Sequence, residues 1–201
     1  MPSLVVPLSS PEATDAARFG AKAANLARLA QAGLPTPGGY AIDAAAYRAQ
    51  LQALGLEQVA KMVFTTADSA RARRYALEMK LGLLDQPITP PVLSSLLEAW
   101  ALLRGEPCVV RSSALVEDRY GSSFAGQFES FLGLEDESEF LTAVRACWAA
   151  LWMTRALRYM ATHDIDPAET AMALIVQPLV QARVAGGGLS QTADGDMLIN
   201  A

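Results

Sequence analysis

The hydrophobic and polar positions of this chain follow two periods, one typical of α-helices and one typical of β-strands. The longest helical stripe consists of large apolar side chains on one side of residues 138–152: Phe140, Val144, Cys147, Trp148, Leu151 and Trp152. Short aliphatic runs instead predict strands at residues 4–6, 38–42, 109–110, 171–176 and 197–199. The pattern therefore predicts a fold of the α+β class, in which helices and strands are mixed.

Helix signals concentrate between residues 21 and 104. A first helix is predicted at residues 21–32, because Gly33 is a common residue just beyond a helix end. Asp43 is suited to cap the next helix, and the remaining helices are predicted at 44–54, 57–64, 68–81 and 91–104. Residues 44–104 are thus expected to form a helical insert or cap. Three arginines within it, Arg71, Arg73 and Arg74, are most simply a solvated helix face.

Residues 108–134 predict a strand, a loop of small residues and a second strand. Arg111 is expected where the first strand ends, and the loop contains Gly121, Ser122, Ser123, Phe124, Ala125 and Gly126. Residues without bulk let backbone N–H groups approach a polyphosphate closely. A loop of glycine and serine taken alone is more often ordinary turn chemistry, and this one matches neither the P-loop pattern nor the dinucleotide-binding glycine pattern.

Lys22 falls in the first turn of the predicted helix at 21–32. A helix N-terminus already carries partial positive charge and favours acidic side chains, so a lysine there is electrostatically awkward. Either the side chain is simply solvated, or the ammonium and the free N–H groups together form an anion site.

The last third of the chain contains one strand and several breaks. His163 lies in a helix-breaking segment and is expected to form a turn or a cap. The strand at 171–176 ends at Gln177 and Pro178, where pairing should lapse because proline cannot donate to a sheet ladder. An extended segment is predicted to resume at 179–184, before a flexible break at 185–188. Because the sequence stops within a predicted strand, we expect a fragment of a longer protein.

Composition narrows the function classes. The 201 residues are 52% hydrophobic and 18% charged, which predicts an ample core. A net charge of −5 argues against nucleic acid as a general partner. The single histidine excludes a histidine-rich zinc site, and Cys108 and Cys147 lie in apolar settings typical of buried thiols in a reducing compartment. With neither a leader nor a run of membrane-spanning length, we expect a cytoplasmic protein.

Four segments in a fixed order carry a resemblance. They are residues 19–26 (FGAKAANL) with 32–40 (AGLPTPGGY), 110–114 (VRSSA) with Glu117 and Asp118, 123–130 (SFAGQFES), and 147–152 (CWAALW) leading through His163 to Gln177. Together they resemble the N-terminal nucleotide-binding domain of the phosphoenolpyruvate synthase and pyruvate phosphate dikinase family, which includes the rifampicin phosphotransferases. The resemblance covers nearly the whole chain.

The resemblance implies an ATP-grasp-like fold in which two subdomains close on ATP. Lys22 is similar in position to the family's phosphate-binding lysine, and Arg111 to the arginine beside the phosphates. The loop from Gly121 to Gly126 resembles the one that covers the phosphates. Gln177, with its neighbours Leu179 and Val180, resembles the segment between the subdomains that contacts adenine. The expected cofactors are ATP and Mg²⁺.

The resemblance also implies what this chain lacks. Residues 1–176 would form the first subdomain, with the helical insert at 44–104, and residues 177–201 the hinge and the truncated start of the second. Residues 185–190 (AGGGLS) depart from the family pattern, so the second subdomain's phosphate contacts are in question. The acidic magnesium ligands and the phosphohistidine and acceptor domains are expected outside this chain, and no metal ligand is predicted within it.

Three functions therefore stay open at the level of sequence. The first is the ATP-binding part of a dikinase that transfers phosphate from ATP through a histidine to an acceptor such as pyruvate, giving AMP and phosphate. The second is a degenerate, non-catalytic nucleotide-binding module, or a subunit of a split phosphotransferase acting on another hydroxyl acceptor. The third is a helical interaction module without a ligand, against which the positions of Lys22 and Arg111 argue.

Overall fold

Seven strands and seven α-helices make up the part of the chain that the computed structural model describes, residues 3–103, 105–116, 128–191 and 194–200. The strands are β1 Val5–Pro7, β2 Tyr40–Ile42, β3 Cys108–Ala114, β4 Ser130–Leu134, β5 Met172–Pro178, β6 Gly187–Leu189 and β7 Leu198–Asn200. The helices are α1 Ala16–Gln31, α2 Ala44–Ala53, α3 Glu57–Thr65, α4 Ser69–Asp85, α5 Pro90–Ala101, α6 Glu137–Ala149 and α7 Thr154–Thr162. This mixture confirms the predicted α+β class. None of the described helices is both long and apolar enough to cross a bilayer.

Strand β5 lies at the centre of a five-stranded sheet of order β1-β2-β5-β3-β4, in which all neighbours are antiparallel. Residues 172–176 of this strand are fully buried. A strand covered on both faces carries a continuous apolar run, which explains why the sequence shows no alternation there. Strands β6 and β7 pair with each other in a second, two-stranded sheet.

Helices cover both faces of the five-stranded sheet. On one face α1 packs Phe19 and Ala23 against Ile175 of β5. On the other, α2 and α6 pack on β5 and β3, and the apolar side chains of α3, α4 and α5 join the same larger core. The predicted stripe at 138–152 is buried along its whole length in this core, as expected.

The predicted roles of Asp43 and His163 at helix ends are confirmed. Asp43 accepts a hydrogen bond from the backbone N–H of Ala45 at 2.8 Å and starts α2. Asp136 does the same for α6, accepting from the N–H of Glu139 at 2.8 Å. His163 ends α7, with Nδ1 2.9 Å from the carbonyl oxygen of Tyr159. A short polar side chain that satisfies a free N–H at a helix start is a local signal, which is why the sequence was sufficient here.

Helix α1 is broken by a kink at Gly20, where φ is +76°. The regular helix resumes at residue 21, as predicted, although the chain is already helical from Ala16. A β-carbon at position 20 would collide with the backbone carbonyl and the hydroxyl of Ser113. Glycine is therefore required at this position, because it permits both the positive φ and the close approach of α1 to β3.

The prediction that Arg111 stands at a strand end is wrong. Strand β3 continues to Ala114 and pairs along its whole length with β5, so Arg111 lies in mid-strand opposite Ile175. The strand continues because Ser112 and Ser113, although polar, are both buried and hydrogen-bonded through their hydroxyls. Satisfied polar side chains do not interrupt a strand.

The chain after residue 176 also differs from expectation. Beyond Val176, β5 no longer pairs with its neighbour β2. On its other side β5 still pairs with β3, where Gln177 lies opposite Val109 and Pro178 opposite Cys108. The proline is tolerated because it is the last residue of the strand. The predicted extended segment at 179–184 forms no strand, although Leu179 donates its backbone N–H to the carbonyl of Pro107 at 2.8 Å. Gly187 and Gly188, predicted to belong to the flexible break at 185–188, form β6 together with Leu189 instead.

Candidate functional site

Lys22 is held beside β3 by the docking of α1. It lies in the first turn after the kink, is half-buried, and donates from Nζ to the backbone carbonyl of Ser112 at 3.4 Å. The next residue, Ala23, donates its backbone N–H to the hydroxyl of Ser113 at 3.3 Å. The N-terminus of a helix and an ammonium group are thus directed to the same short stretch of β3, an arrangement that favours an anion.

Arg111 lies on the face of the sheet that α1 covers. Its cross-strand partner Ile175 packs against α1, and opposite residues of a sheet share a face. The guanidinium is half-buried, and its Nη1 lies 3.5 Å from Oε1 of Gln177. Lys22 therefore contacts the backbone of Ser112, the residue that follows Arg111 in β3.

Gln177 is buried, with only 4% of its surface exposed. Its Nε2 donates to the carbonyl of Gly38 at 3.0 Å, which turns Oε1 towards Arg111. Both ends of the side-chain amide are therefore used within the protein, as buried amides require.

The two neighbours of this glutamine differ in their accessibility. Leu179 is half-buried, and its backbone N–H already donates to the carbonyl of Pro107 at 2.8 Å. Val180 is 59% exposed. Of the three residues predicted to contact adenine, it is therefore the most accessible to a ligand.

The predicted phosphate-covering loop, Gly121 to Gly126, and the acidic pair Glu117 and Asp118 lie outside the described residues. The first residues described after it connect to the site. The carbonyl of Glu129 accepts from the hydroxyl of Ser112 at 3.3 Å, and the thiol of Cys147 lies 3.9 Å from the same oxygen.

The Cys147 thiol is in an environment that keeps it protonated. Burial raises its pKa to about 12, the carboxylate of Glu129 adds to the rise, and the charge of Lys22 opposes it. Cys108, also buried and free, has its pKa raised by burial to about 11. Both cysteines are therefore core thiols, as the sequence predicted.

Three contributors to this site were missed by sequence reasoning: Gly20, Gly38 and Ser113. Gly38 supplies the carbonyl that orients Gln177, and Gly20 admits Ser113 to the start of the helix. The available sequence signals were the adjacent glycines Gly38 and Gly39 before β2, and Gly20 two positions before Lys22. Their partners, however, lie 139 and about ninety residues away along the chain.

The arrangement can bind an anion through charge and hydrogen bonding. An ammonium is a compact point charge, and a guanidinium presents a planar fork of donors that suits phosphate oxygens. Among the described residues, no three His, Cys, Asp or Glu side chains are grouped so as to hold a metal ion.

Comparison with known proteins gives consistent similarities. Residues 16–201 match the family described as pyruvate phosphate dikinase, AMP/ATP-binding domain. The chain is 35% identical over 177 residues to phosphoenolpyruvate synthase of Aeropyrum pernix, covering 83% of this chain and 22% of that protein. It is 33% identical over 202 residues to prodigiosin synthesizing transferase PigC of Serratia marcescens, covering 98% of this chain and 21% of that protein. The chain thus spans about a fifth of the length of these relatives.

Proposed function

Because the chain belongs to the family of pyruvate phosphate dikinase AMP/ATP-binding domains, we propose that it is the ATP-binding part of a dikinase-type phosphotransferase. In this proposal the parent protein transfers phosphate from ATP, through a histidine on another domain, to an acceptor such as pyruvate. AMP and inorganic phosphate are the other products. The observation that supports it most is that Lys22, beside the start of a helix, contacts the backbone of Ser112, the residue that follows Arg111 in β3.

Lys22 and Arg111 would bind the phosphates of ATP. Charge-assisted hydrogen bonds from an ammonium and a guanidinium to phosphate oxygens are among the stronger polar contacts in proteins. Half-burial of both side chains reduces the screening by water that weakens fully exposed pairs. The helix N-terminus at residues 21–23 adds partial positive charge on the same side.

The adenine would lie against the segment that follows β5. Since the amide of Gln177 is engaged by Gly38 and Arg111, we assign it the role of positioning the guanidinium and not of contacting the base. Val180, exposed just beyond Leu179, is the position from which this segment would meet the base.

The two cations fit the anionic phosphates, whereas the ligands of Mg²⁺ are proposed to come from other parts of the parent protein. Magnesium would neutralise phosphate charge when bound. The same proposal places a subdomain boundary at residues 176 and 177, with the helical region 44–104 inserted in the first subdomain. The small-residue loop, Gly121 to Gly126, would cover the phosphates.

A second function is favoured by one observation, the departure of residues 185–190 from the family pattern. Gly187, Gly188 and Leu189 form the exposed strand β6. A nucleotide-binding module without catalysis, or one subunit of a split phosphotransferase, would keep Lys22 and Arg111 and differ in this segment. The module without catalysis would bind ATP and form no AMP even when joined to its remaining domains, whereas the split subunit would form AMP together with its partner subunit.

Calorimetric titration with ATP tests the proposed phosphate site. Lys22→Ala and Arg111→Ala should each fold normally and lose roughly 1.5–3 kcal/mol of binding free energy, the range for a hydrogen bond to a charged group. Matched controls are Lys61→Ala and Arg48→Ala, which remove an exposed lysine of α3 and an exposed arginine of α2. Unchanged affinity in both site variants, or an equal loss in the controls, would contradict the assignment.

A further inference from the structure

A second cleft is lined by neither Lys22 nor Arg111, although it shares Glu129 with the surroundings of Ser112. It is formed by α3, α4 and α7, together with a 3₁₀ turn at Ala150–Trp152, and has a volume of about 960 Å³. Helix α4 packs on α6, which covers the face of the sheet opposite α1. Neither of the two cations nor Gln177 is among the described residues that line this cleft.

Cationic side chains dominate the lining of this cleft. Arg73 and Lys80 come from α4 and Arg158 from α7, and Arg155 lies beside them. Glu129 supplies the one carboxylate among the described lining residues. The chain as a whole carries a net charge of −5, so the local sign of charge is opposite to that of the molecule. A cleft lined by one sign of charge concentrates ligands of the other sign.

The three clustered arginines of α4, Arg71, Arg73 and Arg74, lie in different surroundings. Arg71 lies 3.6 Å from Asp68, and Arg74 lines a different groove with Glu78 and Asp85. Arg73 alone of the three lines the cleft. All three are exposed, as the sequence predicted for a solvated face. Arg74 is adjacent to Arg73 in sequence but does not line the cleft, so a variant of Arg74 is a suitable control for a variant of Arg73.

The floor and part of the rim of the cleft are apolar. Val63, Ala76 and Trp152 are buried beneath it. Phe64, Leu77 and Met153 stand at the rim with 36%, 52% and 36% of their surface exposed. Large apolar side chains that remain exposed beside cations provide an apolar contact surface next to a binding site for negative charge. A volume near the upper end of the range of about 300–1,000 Å³ for small-molecule pockets admits a ligand of that kind.

We propose that this cleft binds an organic anion with an aromatic or similarly apolar body, bearing a carboxylate, sulfonate or phosphate ester, at a site separate from that of the nucleotide. The apolar body would lie on the floor around Trp152, and the anionic group would face Arg73, Lys80 and Arg158. This inference does not depend on the proposed function, because the cleft is lined by residues other than Lys22, Arg111 and Gln177.

Two probes of the same shape and opposite charge test the chemistry: naphthoate and naphthylmethylammonium. The readout is the indole N–H resonance of Trp152, whose Nε1 donates to the hydroxyl of Tyr47 at 2.9 Å and which lines the cleft. Assignment by Trp152→Phe identifies the signal, and Trp148, buried elsewhere in the core, serves as an internal reference. Naphthoate should shift the Trp152 signal and saturate, and the cationic probe should bind roughly threefold or more weakly.

Two double variants test whether the charges of the cleft are responsible for naphthoate binding. Arg73→Glu combined with Arg158→Glu should weaken naphthoate binding by roughly tenfold or more. The control pair, Arg74→Glu with Lys61→Glu, makes the same change of net charge at exposed positions outside the cleft and should leave it nearly unchanged. Saturating ATP should leave the naphthoate titration unaltered.

Each opposite result overturns the proposal. Equal binding of the two probes would make the cleft an apolar patch without charge selection. Equal weakening by both variant pairs would reduce the effect to net charge. Displacement of naphthoate by ATP would assign the cleft to the nucleotide site, and the absence of a Trp152 shift would place any binding elsewhere.

Discussion

Gln177 orients Arg111: its Nε2 donates to the carbonyl of Gly38 at 3.0 Å, so its Oε1 faces Nη1 of the guanidinium, 3.5 Å away. The long distance to the arginine indicates a weak hydrogen bond, whereas the contact with Gly38 is well within the usual range. The glycine carbonyl therefore fixes the amide, and the amide limits the directions in which the guanidinium can point.

Gln177→Leu should weaken ATP binding without touching the nucleotide. The substitution keeps the side chain's bulk but removes both hydrogen bonds, and we expect a loss of roughly 1 kcal/mol of binding free energy, the usual contribution of one hydrogen bond. In an Arg111→Ala background the same substitution should have almost no further effect on ATP affinity, because the group that it positions is gone. Calorimetry on the single and double variants measures this coupling, and additive losses would show that Gln177 acts independently of Arg111.

Gly20→Ala should destabilise the protein more than Gly33→Ala. Both glycines have a positive φ, +76° and +77°, but only at position 20 would a new β-carbon meet other atoms, those of Ser113. We expect a loss of about 1 kcal/mol for Gly33→Ala and of roughly 2–5 kcal/mol for Gly20→Ala, since the latter adds a clash to the backbone strain. Urea unfolding provides the comparison. Equal losses at the two positions would mean that α1 can move away from β3 at little cost.

The two thiols should be unreactive in the folded protein and should couple stability to alkaline pH. Burial raises the pKa of Cys147 to about 12 and that of Cys108 to about 11. Both values lie above the pKa of about 8.5 for an unfolded cysteine. The folded state therefore keeps protons that the unfolded state has already released. Their contribution to stability is complete below about pH 8.5 and is lost as the pH rises towards the folded values.

Alkylation followed by mass spectrometry checks this expectation. At about pH 8 iodoacetamide should modify neither cysteine until the protein unfolds. The free energy of unfolding should also fall between about pH 8.5 and pH 10, and this fall should diminish in Cys147→Ala. Rapid labelling of the folded protein would show that the thiols are accessible and contradict the core assignment.

The 201-residue chain alone should bind ATP weakly, with little dependence on magnesium, and should form no AMP. It holds the proposed phosphate cations and the proposed adenine segment on one wall, and contacts exposed to water contribute less than enclosed ones. Incubation with ATP, magnesium and candidate acceptors, followed by chromatography for AMP, provides the test. Stoichiometric or catalytic AMP would show that this chain is sufficient for the reaction.

Much of the fold could be predicted because its signals are local. Asp43 and Asp136 cap the helices that they precede, and the buried stripe from Phe140 to Trp152 follows a helical period. The strand at 171–176 was recognised by its unbroken apolar run, which fits a central strand covered on both faces.

What escaped prediction depends on contacts between distant parts of the chain. Whether β3 ended at Arg111 or continued to Ala114 was decided by β5, which pairs with all seven residues of β3. The pairing of Gln177 with Gly38 spans 139 residues. Residues 179–184 form no strand although Val180 and Val184 favour strands, so the local pattern alone does not decide strand formation there.

The irregular segment between β5 and β6 has a practical consequence for handling the protein. Residues 180–186 are exposed and lie outside any strand or helix, and Arg183 is among them. Accessible, unpaired backbone at such a position is where proteases cut, so brief treatment with trypsin should cleave after Arg183. The product would retain all five strands of the larger sheet and lose the exposed β6–β7 pair, whose apolar Leu189, Leu198 and Ile199 favour self-association. The trimmed protein would then be the better sample for crystallisation.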